Sequence, residues 1–349
     1  TLYDLAAGQE IDCDYSIIGV GRTSMTASEF KSYVSKILRL PNRHHTHAID
    51  KAVERKLLSH LHYLSADLTD PTSYTQLQTL IKKQNHSNLM VYLATFPSLY
   101  PTIYQELHRS GLTTSHKDKW TRVMIEKPIG NDRSSAQEVN NLLTQYYSED
   151  QIFRLDHYLG KETLQNILTF RFGNGFLEPL MNKDHIDHIQ VTAAEDYSIG
   201  LRGSYYDENG AIKDVGQNQL LQMIALSLMD APSSFSDRDV TQERVKVLRN
   251  LVPDPSSLVI GQYDGYLSEK FVAENSKTET YFSFKTHLDN DRFRGVHIYV
   301  RGGKCLTRTT TEVAIIFKNS PNMLVYRIQP NEGIVFKIKT KKPGHTLEL

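Results

Sequence analysis

The sequence of 349 residues predicts two domains of different fold class: an α/β domain with a parallel sheet, followed by an α+β domain with a large, mostly antiparallel sheet. Over the first 150 residues, short apolar runs alternate with helical patterns, which is typical of a doubly wound parallel sheet. In the second half, strand-like runs follow one another with turn residues between them, as in antiparallel sheets. The length also suits two domains.

The elements of the first domain alternate between strands and helices. The strand-like runs lie at 15–21, 88–94 and 122–126. The run 88–94 is nearly continuous in apolar residues, as a parallel strand covered on both faces requires. Helices are predicted to begin at Thr26, Asp70 and Asp132, which are residue types that cap helix N-termini. Pro71 in the first turn strengthens the second of these predicted starts.

The second domain is predicted from a change of pattern near residue 152, which gives domains 1–152 and 153–349. Helical patterns lie at 160–169 and 214–228. The most apolar segment, 220–229, is too short to cross a bilayer, which needs roughly 20 residues, and a buried helix is predicted there. Strand-like runs lie at 186–192, 278–287, 296–300, 312–317, 323–328 and 333–338.

Charge and cysteine content narrow the possible partners. Lys and Arg together number 40, as do Asp and Glu, so the net charge at pH 7 is zero. General nucleic-acid binders and membrane-surface binders are basic, and neither partner is predicted. Two cysteines, Cys13 and Cys305, form no disulfide framework and indicate a reducing cytosol. The first 15 residues lack a signal peptide pattern, so a cytoplasmic protein is predicted, and no metal site is predicted.

The segment Gly19-Val20-Gly21-Arg22 follows a predicted strand, and three interpretations compete for it. Its glycines could belong to a dinucleotide fingerprint, whose backbone N–H groups approach a pyrophosphate. The third glycine of that pattern is absent, and an ordinary strand–turn–helix explains the segment as well. The third interpretation makes this the second strand of a nucleotide-binding sheet, where an Arg can hold the 2′-phosphate of NADP. It assigns Arg22 to a cofactor site and places the phosphate loop upstream, outside this chain.

The polar run 154–166, Arg-Leu-Asp-His-Tyr-Leu-Gly-Lys-Glu-Thr-Leu-Gln-Asn, carries the strongest chemical signal. His157, Tyr158 and Lys161 supply an imidazole, a phenol and an ammonium at the start of one predicted helix, where the helix dipole also favours anions. A phosphate dianion requires several donors that converge from one rigid element. A solvated helix start with one core histidine would explain His157 alone but not the whole cluster.

This run resembles the signature of the glucose-6-phosphate dehydrogenase family at nearly every position. The similarity extends over essentially the whole chain and is densest at 122–222. Glu126-Lys127-Pro128 matches a tripeptide found in several sugar-oxidising dehydrogenases. Further matches to the family are Glu195, 202–207, 213–218, 295–296, Arg301, 303–304 and 327–332.

The resemblance implies a role for each matching residue. The implied substrate-binding residues are Lys127, His157, Tyr158, Lys161, Glu195, Asp214 and Lys304. The implied cofactor-binding residues are Arg22 and Lys127, and the implied catalytic residues are Asp156, Lys161 and Gln219, which stands at the position of the family's base. The implied reaction oxidises glucose 6-phosphate at C1 to 6-phosphogluconolactone with hydride transfer to NADP, the first step of the oxidative pentose phosphate pathway. The family pairs subunits through the antiparallel sheet, so a homodimer or higher homo-oligomer is implied.

Two features depart from the family pattern. The family's first strand and glycine-rich phosphate loop are not found in 1–152, so an incomplete Rossmann-like dinucleotide-binding domain is expected, and the family's C-terminal end is absent after 342–344. The family's general base is a histidine, which suits proton removal because its pKa lies near the working pH, and Gln219 replaces it. A glutamine amide can hydrogen-bond the C1 hydroxyl but cannot accept its proton. Asp156, which orients that histidine in the family, would face an amide.

Three functions therefore remain open. The first is an NADP-dependent glucose-6-phosphate dehydrogenase, whose turnover would fall by about 10²–10⁴-fold without the base. The second is a base-substituted, non-catalytic relative that binds sugar phosphates. The third is another sugar oxidoreductase with a Glu-Lys-Pro motif, which is disfavoured because such enzymes have no reason to share the run 156–166.

Overall fold

A computed structural model describes residues 2–11, 14–40, 49–115, 119–127, 129–130, 132–156 and 158–340. The chain divides into two compact units, Thr1–Leu155 and Asp156–Leu349. This division lies close to the domain border predicted at residue 152. Each unit is described by itself below.

The first unit consists of parallel strands and the helices that connect them. Its helices are α1 (Leu2–Ala7), α2 (Ala27–Leu38), α3 (Lys51–Ser59), α4 (Pro71–Lys83), α5 (Tyr100–Arg109) and α6 (Arg133–Tyr146). Its strands are β1 (Ile17–Gly21), β2 (Leu61–Ser65), β3 (Leu89–Leu93), β4 (Thr121–Ile125) and β5 (Ile152–Arg154). Short 3₁₀ turns lie at Pro97–Leu99 and Glu149–Gln151.

The predicted helix starts of this unit are confirmed. Thr26 accepts the backbone N–H of Glu29, and the Glu29 carboxylate accepts the N–H of Thr26, which forms a capping box before α2. Asp70 accepts a backbone N–H of α4, and Pro71 occupies the first position of that helix. Asp132 caps α6 in the same way. Local side-chain chemistry therefore determines where these helices begin.

The parallel strands form two separate sheets in the part of the unit that the structure describes. One sheet pairs β1 with β2, and the other has the order β3-β4-β5. In a Rossmann sheet the first strand lies between the second and the fourth. The observed pairing matches that order with the central strand missing. The predicted class, an incomplete Rossmann-like domain, is confirmed.

Gly19 is explained by packing within this unit. A Cβ on Gly19 would lie 2.6 Å from Cζ of Phe30 in α2, so glycine lets the Phe30 ring lie against β1. Phe30 also stacks on Tyr63 of β2, with ring centroids 4.7 Å apart. This contact favours a strand of the sheet over a phosphate loop as the interpretation of 15–21.

The second unit is built on a seven-stranded sheet. Its helices are α7 (Glu162–Phe172), α8 (Gly203–Ala211), α9 (Leu221–Leu228) and α10 (Asp237–Arg249), with a π-helix at Ile212–Leu220. Its strands are β6 (Ile186–Ala194), β7 (Leu251–Gly261), β8 (Tyr281–Leu288), β9 (His297–Gly303), β10 (Thr310–Phe317), β11 (Met323–Gln329) and β12 (Gly333–Lys337). Short 3₁₀ turns lie at Glu178–Leu180, Gly200–Arg202 and Tyr266–Ser268. The strand order is β12-β11-β10-β6-β9-β8-β7, and among these pairs β6 and β9 are parallel. The predicted large, mostly antiparallel sheet is confirmed.

One face of this sheet is buried under helices. Six of the eight residues of α9 are buried, which confirms the buried helix predicted at 220–229. The ring of Phe282 in β8 lies between Gly216 of the π-helix and Gly302 of β9, because a Cβ on either glycine would come 2.9 Å from it. These two glycines let the π-helix approach the sheet closely.

Two elements of this unit differ from the predictions. The pattern at 214–228 predicts one α-helix, but Ile212–Leu220 is π-helical and the α-helix begins at Leu221. Strand β7 was not predicted, and it contains Pro253 and Pro255, which lack a backbone N–H. Because β7 lies at an edge of the sheet, its prolines remove no hydrogen bond from a central pair.

Candidate active site

Glu195 and Lys304 meet where two central strands of the second unit end. Glu195 follows β6 and Lys304 follows β9, and these strands run parallel, so both residues reach the same edge of the sheet. The N–H of Glu195 donates to the carbonyl of Gly303 at 3.0 Å, and the N–H of Leu306 donates to the carbonyl of Glu195 at 2.9 Å. The Lys304 side chain is 6% exposed and forms an ion pair with the Glu195 carboxylate. Because burying an unpaired charge is strongly unfavourable, this pairing stabilises the buried ammonium.

Asp214 is carried by the π-helix, which follows a break in α8. Gly210 has φ 68° and ψ 174°, a conformation available to glycine, and it ends the first helical path. Glu279 then caps the new segment, since its carboxylate accepts the N–H of Ile212 at 2.9 Å and its carbonyl accepts the N–H of Ala211 at 3.0 Å. This cap determines where the π-helix begins and therefore where Asp214 lies.

The Asp214 carboxylate is 4% exposed and has polar contacts on both oxygens. The Tyr205 hydroxyl donates to Oδ1 at 3.2 Å, and Nη2 of Arg202 lies 3.5 Å from Oδ2. The Arg202 guanidinium also lies 5.0 Å from the centroid of the Tyr205 ring. Burial raises the pKa of Tyr205 to about 12, and the charge of Asp214 adds to this rise. Tyr205 therefore remains a protonated donor at neutral pH.

The π-helix carries Gln219 five residues after Asp214, a spacing that its geometry keeps near one side. Backbone hydrogen bonds in a π-helix join residues five apart, so residues five apart lie one above the other. Asp214 and Gln219 have this spacing within Ile212–Leu220. In an α-helix, with about 3.6 residues per turn, they would point in different directions.

Asp156 organises a tight turn ahead of α7. Its carboxylate accepts the N–H groups of Tyr158 and Leu159 at 2.8 and 3.1 Å. The charge of Asp156 also acts on Arg244 in α10, whose pKa is lowered by burial and raised in part by Asp156. Among the described residues no hydrogen bond joins Asp156 to Gln219, although the resemblance predicted that the two would face each other.

Tyr158 connects this turn to the carboxylates of the sheet. It is 9% exposed, and its hydroxyl shares a hydrogen bond with the buried hydroxyl of Thr311 in β10. Burial raises the pKa of Tyr158 to about 12, and the hydrogen bond to Thr311 opposes this rise. The carboxylates of Glu195 and Asp214 are close enough to raise it further. Tyr158, Glu195 and Asp214 therefore belong to one cluster.

Lys161 is the N-cap residue of α7, with no capping hydrogen bond from its side chain, and it lies beside Tyr158. Its Nζ lies 5.3 Å from the centroid of the Tyr158 ring. Burial lowers the pKa of Lys161, and the charge of Glu332 opposes this. Glu332 itself accepts a hydrogen bond from Thr163 at 3.0 Å. The cluster thus presents a half-buried cation at a helix N-terminus, where an anion is favoured.

Tyr206 lies against the same charged groups. It is 1% exposed, its ring centroid is 6.0 Å from Nζ of Lys304, and its hydroxyl has no hydrogen-bond partner among the residues described. Burial raises its pKa, and the charges of Asp214 and Glu195 raise it further. The carboxylates of Glu195 and Asp214 and the ammonium groups of Lys161 and Lys304 therefore share one region of the second unit with four tyrosines: Tyr158, Tyr197, Tyr205 and Tyr206.

The two cofactor-binding candidates lie at the carboxyl ends of strands in the first unit. Arg22 directly follows β1 and is exposed, and Lys127 follows β4 and is half-buried. Hydrogen bonds from Thr69 lower the pKa of Asp67, and the charge of Arg22 lowers it further, which places Arg22 near the end of β2 as well. Ligands of doubly wound sheets bind at the carboxyl ends of the strands.

These residues fit one part of NADP. An exposed guanidinium after the second strand of a Rossmann order suits the 2′-phosphate. Gly19 and Gly21 pack against the rings of Phe30 and Tyr63, so they are not free to cradle a pyrophosphate. In the described part of the first unit we find no other glycine-rich turn between a strand and a helix that could do so.

Five of the predicted substrate-binding residues come together in the second unit: Tyr158, Lys161, Glu195, Asp214 and Lys304. His157 lies outside the described residues. The sequence reasoning missed Tyr197, whose hydroxyl donates to Glu195, and Thr311; it noted Tyr205 only as part of a motif. The contacts of Tyr205 and Thr311 join different elements, so no sequence spacing would have revealed them, whereas Tyr197 is only two residues from Glu195.

The described ranges contain neither a candidate metal site nor a candidate membrane-spanning helix. No group of three His, Cys, Asp or Glu side chains could hold a metal ion there. None of the helices in that part of the chain is both long and apolar enough to cross a membrane.

Two family models match the chain. Residues 1–166 match the NAD binding domain of glucose-6-phosphate dehydrogenase, and residues 168–349 match the C-terminal domain of glucose-6-phosphate dehydrogenase. The glucose-6-phosphate 1-dehydrogenase of Aggregatibacter actinomycetemcomitans is 37% identical over an alignment 377 positions long, which covers 99% of this chain and 75% of that relative. The enzyme of the same name from Bacillus subtilis is 34% identical, with the same coverage of 99% and 75%.

Solved structures give the same result. A glucose-6-phosphate dehydrogenase in complex with its substrate glucose-6-phosphate superposes with a TM-score of 0.89 at 35% identity, covering 99% of this chain and 75% of that one. A glucose-6-phosphate 1-dehydrogenase from Mycobacterium avium has a TM-score of 0.88 at 34% identity, covering 98% and 76%. At these identities the likeness extends to sequence as well as fold.

Proposed function

The chain belongs to the glucose-6-phosphate dehydrogenase family, an oxidoreductase family that uses NADP, and we propose that it binds glucose 6-phosphate in its second unit and NADP in its first. The observation that carries this proposal is the cluster of Tyr158, Lys161, Glu195, Asp214 and Lys304. Cations and carboxylates lie side by side in that cluster, which suits a ligand with a phosphate at one end and hydroxyls at the other.

The two ends of glucose 6-phosphate would be bound by different groups. Lys161, at the N-terminus of α7, and Tyr158 would donate to the phosphate, because both are donors beside a helix dipole that favours anions. Glu195 and Asp214 accept hydrogen bonds only, so they would bind the sugar hydroxyls. Lys304, paired with Glu195, would donate to a sugar oxygen.

In the first unit, Arg22 would hold the 2′-phosphate of NADP and Lys127 would bind near the nicotinamide. The exposure of Arg22 and the position of both residues at strand ends support this assignment. When bound, NADP accepts the hydride from C1 of the sugar.

Proton removal is the step for which this chain is poorly equipped. Oxidation at C1 moves a hydride to NADP and requires that the C1 hydroxyl lose its proton, leaving 6-phosphogluconolactone. Gln219, at the family's base position, can accept a hydrogen bond from that hydroxyl but cannot take the proton. We therefore propose intact substrate binding with turnover about 10²–10⁴-fold below that of a histidine form. The same observation favours a second candidate, a sugar-phosphate-binding relative without turnover.

The test is NADP reduction with glucose 6-phosphate, measured on this chain and on its Gln219→His variant. Calorimetric titration with glucose 6-phosphate and with NADP, on both forms, provides the control for binding. Activity that rises by two or more orders of magnitude in the variant would support the enzyme with a substituted base. Sugar-phosphate binding by both forms without activity in either would support the non-catalytic candidate. Absence of glucose 6-phosphate binding would refute both.

Finer properties of the chain are proposed on the same basis. An active form would catalyse the first step of the oxidative pentose phosphate pathway, in the cytoplasm, consistent with the free thiol of Cys305.

We also propose a homodimer formed through the outer face of the large sheet. That face holds a cavity of about 710 Å³ lined by residues that include Tyr281, Tyr299 and Arg301, and Tyr299 is 46% exposed. Analytical ultracentrifugation of the chain and of a Tyr299→Glu variant would test this assembly.

A further inference from the structure

Tyr197 lies two residues after Glu195, in a segment whose backbone is held in place. The N–H of Cys305 donates to the carbonyl of Tyr197 at 3.2 Å, and the N–H of Leu306 donates to the carbonyl of Glu195 at 2.9 Å. The segment after β6 is thereby fastened to the segment after β9, which carries Lys304. Tyr197 therefore starts from a fixed backbone position beside both charged groups.

The side chain of Tyr197 contacts both members of the ion pair. Its hydroxyl donates to Oε1 of Glu195 at 2.5 Å, while Lys304 pairs with Oε2 of the same carboxylate. The centroid of the Tyr197 ring lies 4.7 Å from Nζ of Lys304. Each carboxylate oxygen is thus bound by a different donor, and the ammonium lies over the face of the ring that supplies one of them.

We propose that Tyr197 is a positioning residue that orients the Glu195 carboxylate and holds the Lys304 ammonium for the sugar end of the ligand. The proposal rests on the proposed binding of glucose 6-phosphate. A carboxylate oxygen has two acceptor sites, so Oε1 can accept from Tyr197 and still accept from a sugar hydroxyl. Fixing the carboxylate before binding removes the entropy that ordering it would otherwise require. The 6% exposed ammonium of Lys304 gains a second stabilising contact from the ring.

This role concerns the sugar end and not the phosphate end. Tyr158 and Lys161, the groups assigned to the phosphate, lie around the start of α7 and have no contact with Tyr197 among those described. Removing the Tyr197 hydroxyl should therefore weaken binding of a sugar phosphate and leave binding of inorganic phosphate unchanged.

The experiment titrates glucose 6-phosphate, and inorganic phosphate as its competitor, into the unaltered chain and into Tyr197→Phe, Tyr197→Leu and Tyr263→Phe. Tyr197→Phe should bind glucose 6-phosphate about tenfold more weakly, the loss of one hydrogen bond to a charged group, with unchanged phosphate affinity. Tyr197→Leu also loses the ring and should be weaker by a further three- to tenfold, roughly. Tyr263→Phe loses a hydroxyl that donates to Glu269 at 3.0 Å and accepts the N–H of Ile199 at 3.4 Å. It therefore controls for a change in the backbone of the segment after β6, and it should match the unaltered chain.

Three results would overturn the inference. Unchanged glucose 6-phosphate affinity in Tyr197→Phe would refute it alone and leave the proposed function standing. Equal loss of sugar phosphate and phosphate affinity would mean that Tyr197 acts only through stability. Failure of the unaltered chain to bind glucose 6-phosphate would refute the proposed function and this inference together.

Discussion

Gly210 ends the helical path before the π-helix that carries Asp214, and Gly210→Ala should both destabilise the second unit and weaken sugar-phosphate binding. At φ 68° and ψ 174° the backbone lies in a region open essentially to glycine, which costs another residue about 1–3 kcal/mol. A Cβ would also lie 2.6 Å from Oε2 of Glu279, whose carboxylate accepts the N–H of Ile212. Losing that charge-assisted hydrogen bond costs about 1.5–3 kcal/mol more.

The two terms sum to a destabilisation of about 2.5–6 kcal/mol, or a fall of roughly 5–25 °C in the melting temperature of the second unit. Gly200→Ala is the matched control, since Gly200 has φ 58° but no atom within 4 Å of an added Cβ. The control should cost only about 1–2 kcal/mol, the price of a left-handed backbone. Calorimetric melting and titration with glucose 6-phosphate would measure both effects. Equal destabilisation by the two substitutions would refute the role assigned to Glu279.

Two further predictions concern Lys161 and Arg171. Lys161→Met should weaken glucose 6-phosphate binding about tenfold at neutral pH, because a charged donor is lost. Burial lowers the pKa of Lys161, so its ammonium loses its charge as the pH rises through a value below 10.5. The affinity of the unaltered chain for glucose 6-phosphate should fall over that pH range. Titrations at several pH values should find no such fall in Lys161→Met. Arg171 is 0% exposed, pairs with Glu178 at 2.7 Å and donates to the carbonyls of Leu226 and Met229. Arg171→Met should destabilise the second unit by about 3–5 kcal/mol. The control is Lys246→Met, which removes the pair between the exposed Lys246 side chain and Glu243 and should change the stability by less than about 1 kcal/mol. Similar melting temperatures for the two variants would contradict this prediction.

Local signals in the sequence predicted much of the fold. Thr26, Asp70 and Asp132 each cap a helix that begins where predicted, because capping depends on residues within one turn. The continuous apolar run at 88–94 forms a parallel strand as predicted, but only one of its faces is covered, since Met90 and Tyr92 are 47% and 52% exposed. Strand β7 was missed because Pro253 and Pro255 argue against a strand unless its place at the sheet edge is known.

The candidate site divides in a similar way. Its charged residues were identified through family resemblance, and those that belong to the second unit and are described form one cluster. No role was predicted for the hydroxyl groups of Tyr197 and Tyr205, which donate to carboxylates, or of Thr311, which contacts Tyr158. Tyr205 is nine residues from Asp214, and Thr311 lies far along the chain from Tyr158, so their pairing depends on tertiary structure alone. The π-helix was also missed, since its residues show an ordinary helical pattern in sequence.

The π-helix at Ile212–Leu220 sets stability against function at one point of the chain. Deleting a single residue there would let the backbone return to the more stable α-helical hydrogen bonding. The site of the deletion decides its effect on the two side chains. A deletion between Asp214 and Gln219 leaves a spacing of four residues, which an α-helix keeps on one side, whereas a deletion at Ile212 or Lys213 leaves a spacing of five, which an α-helix points in different directions. The π-helix is therefore what keeps the carboxylate proposed to bind the sugar and the residue at the proposed base position near one side at their present spacing. A substitution at 219 changes the chemistry available at that position, whereas a change in the length of this segment can change where both side chains lie.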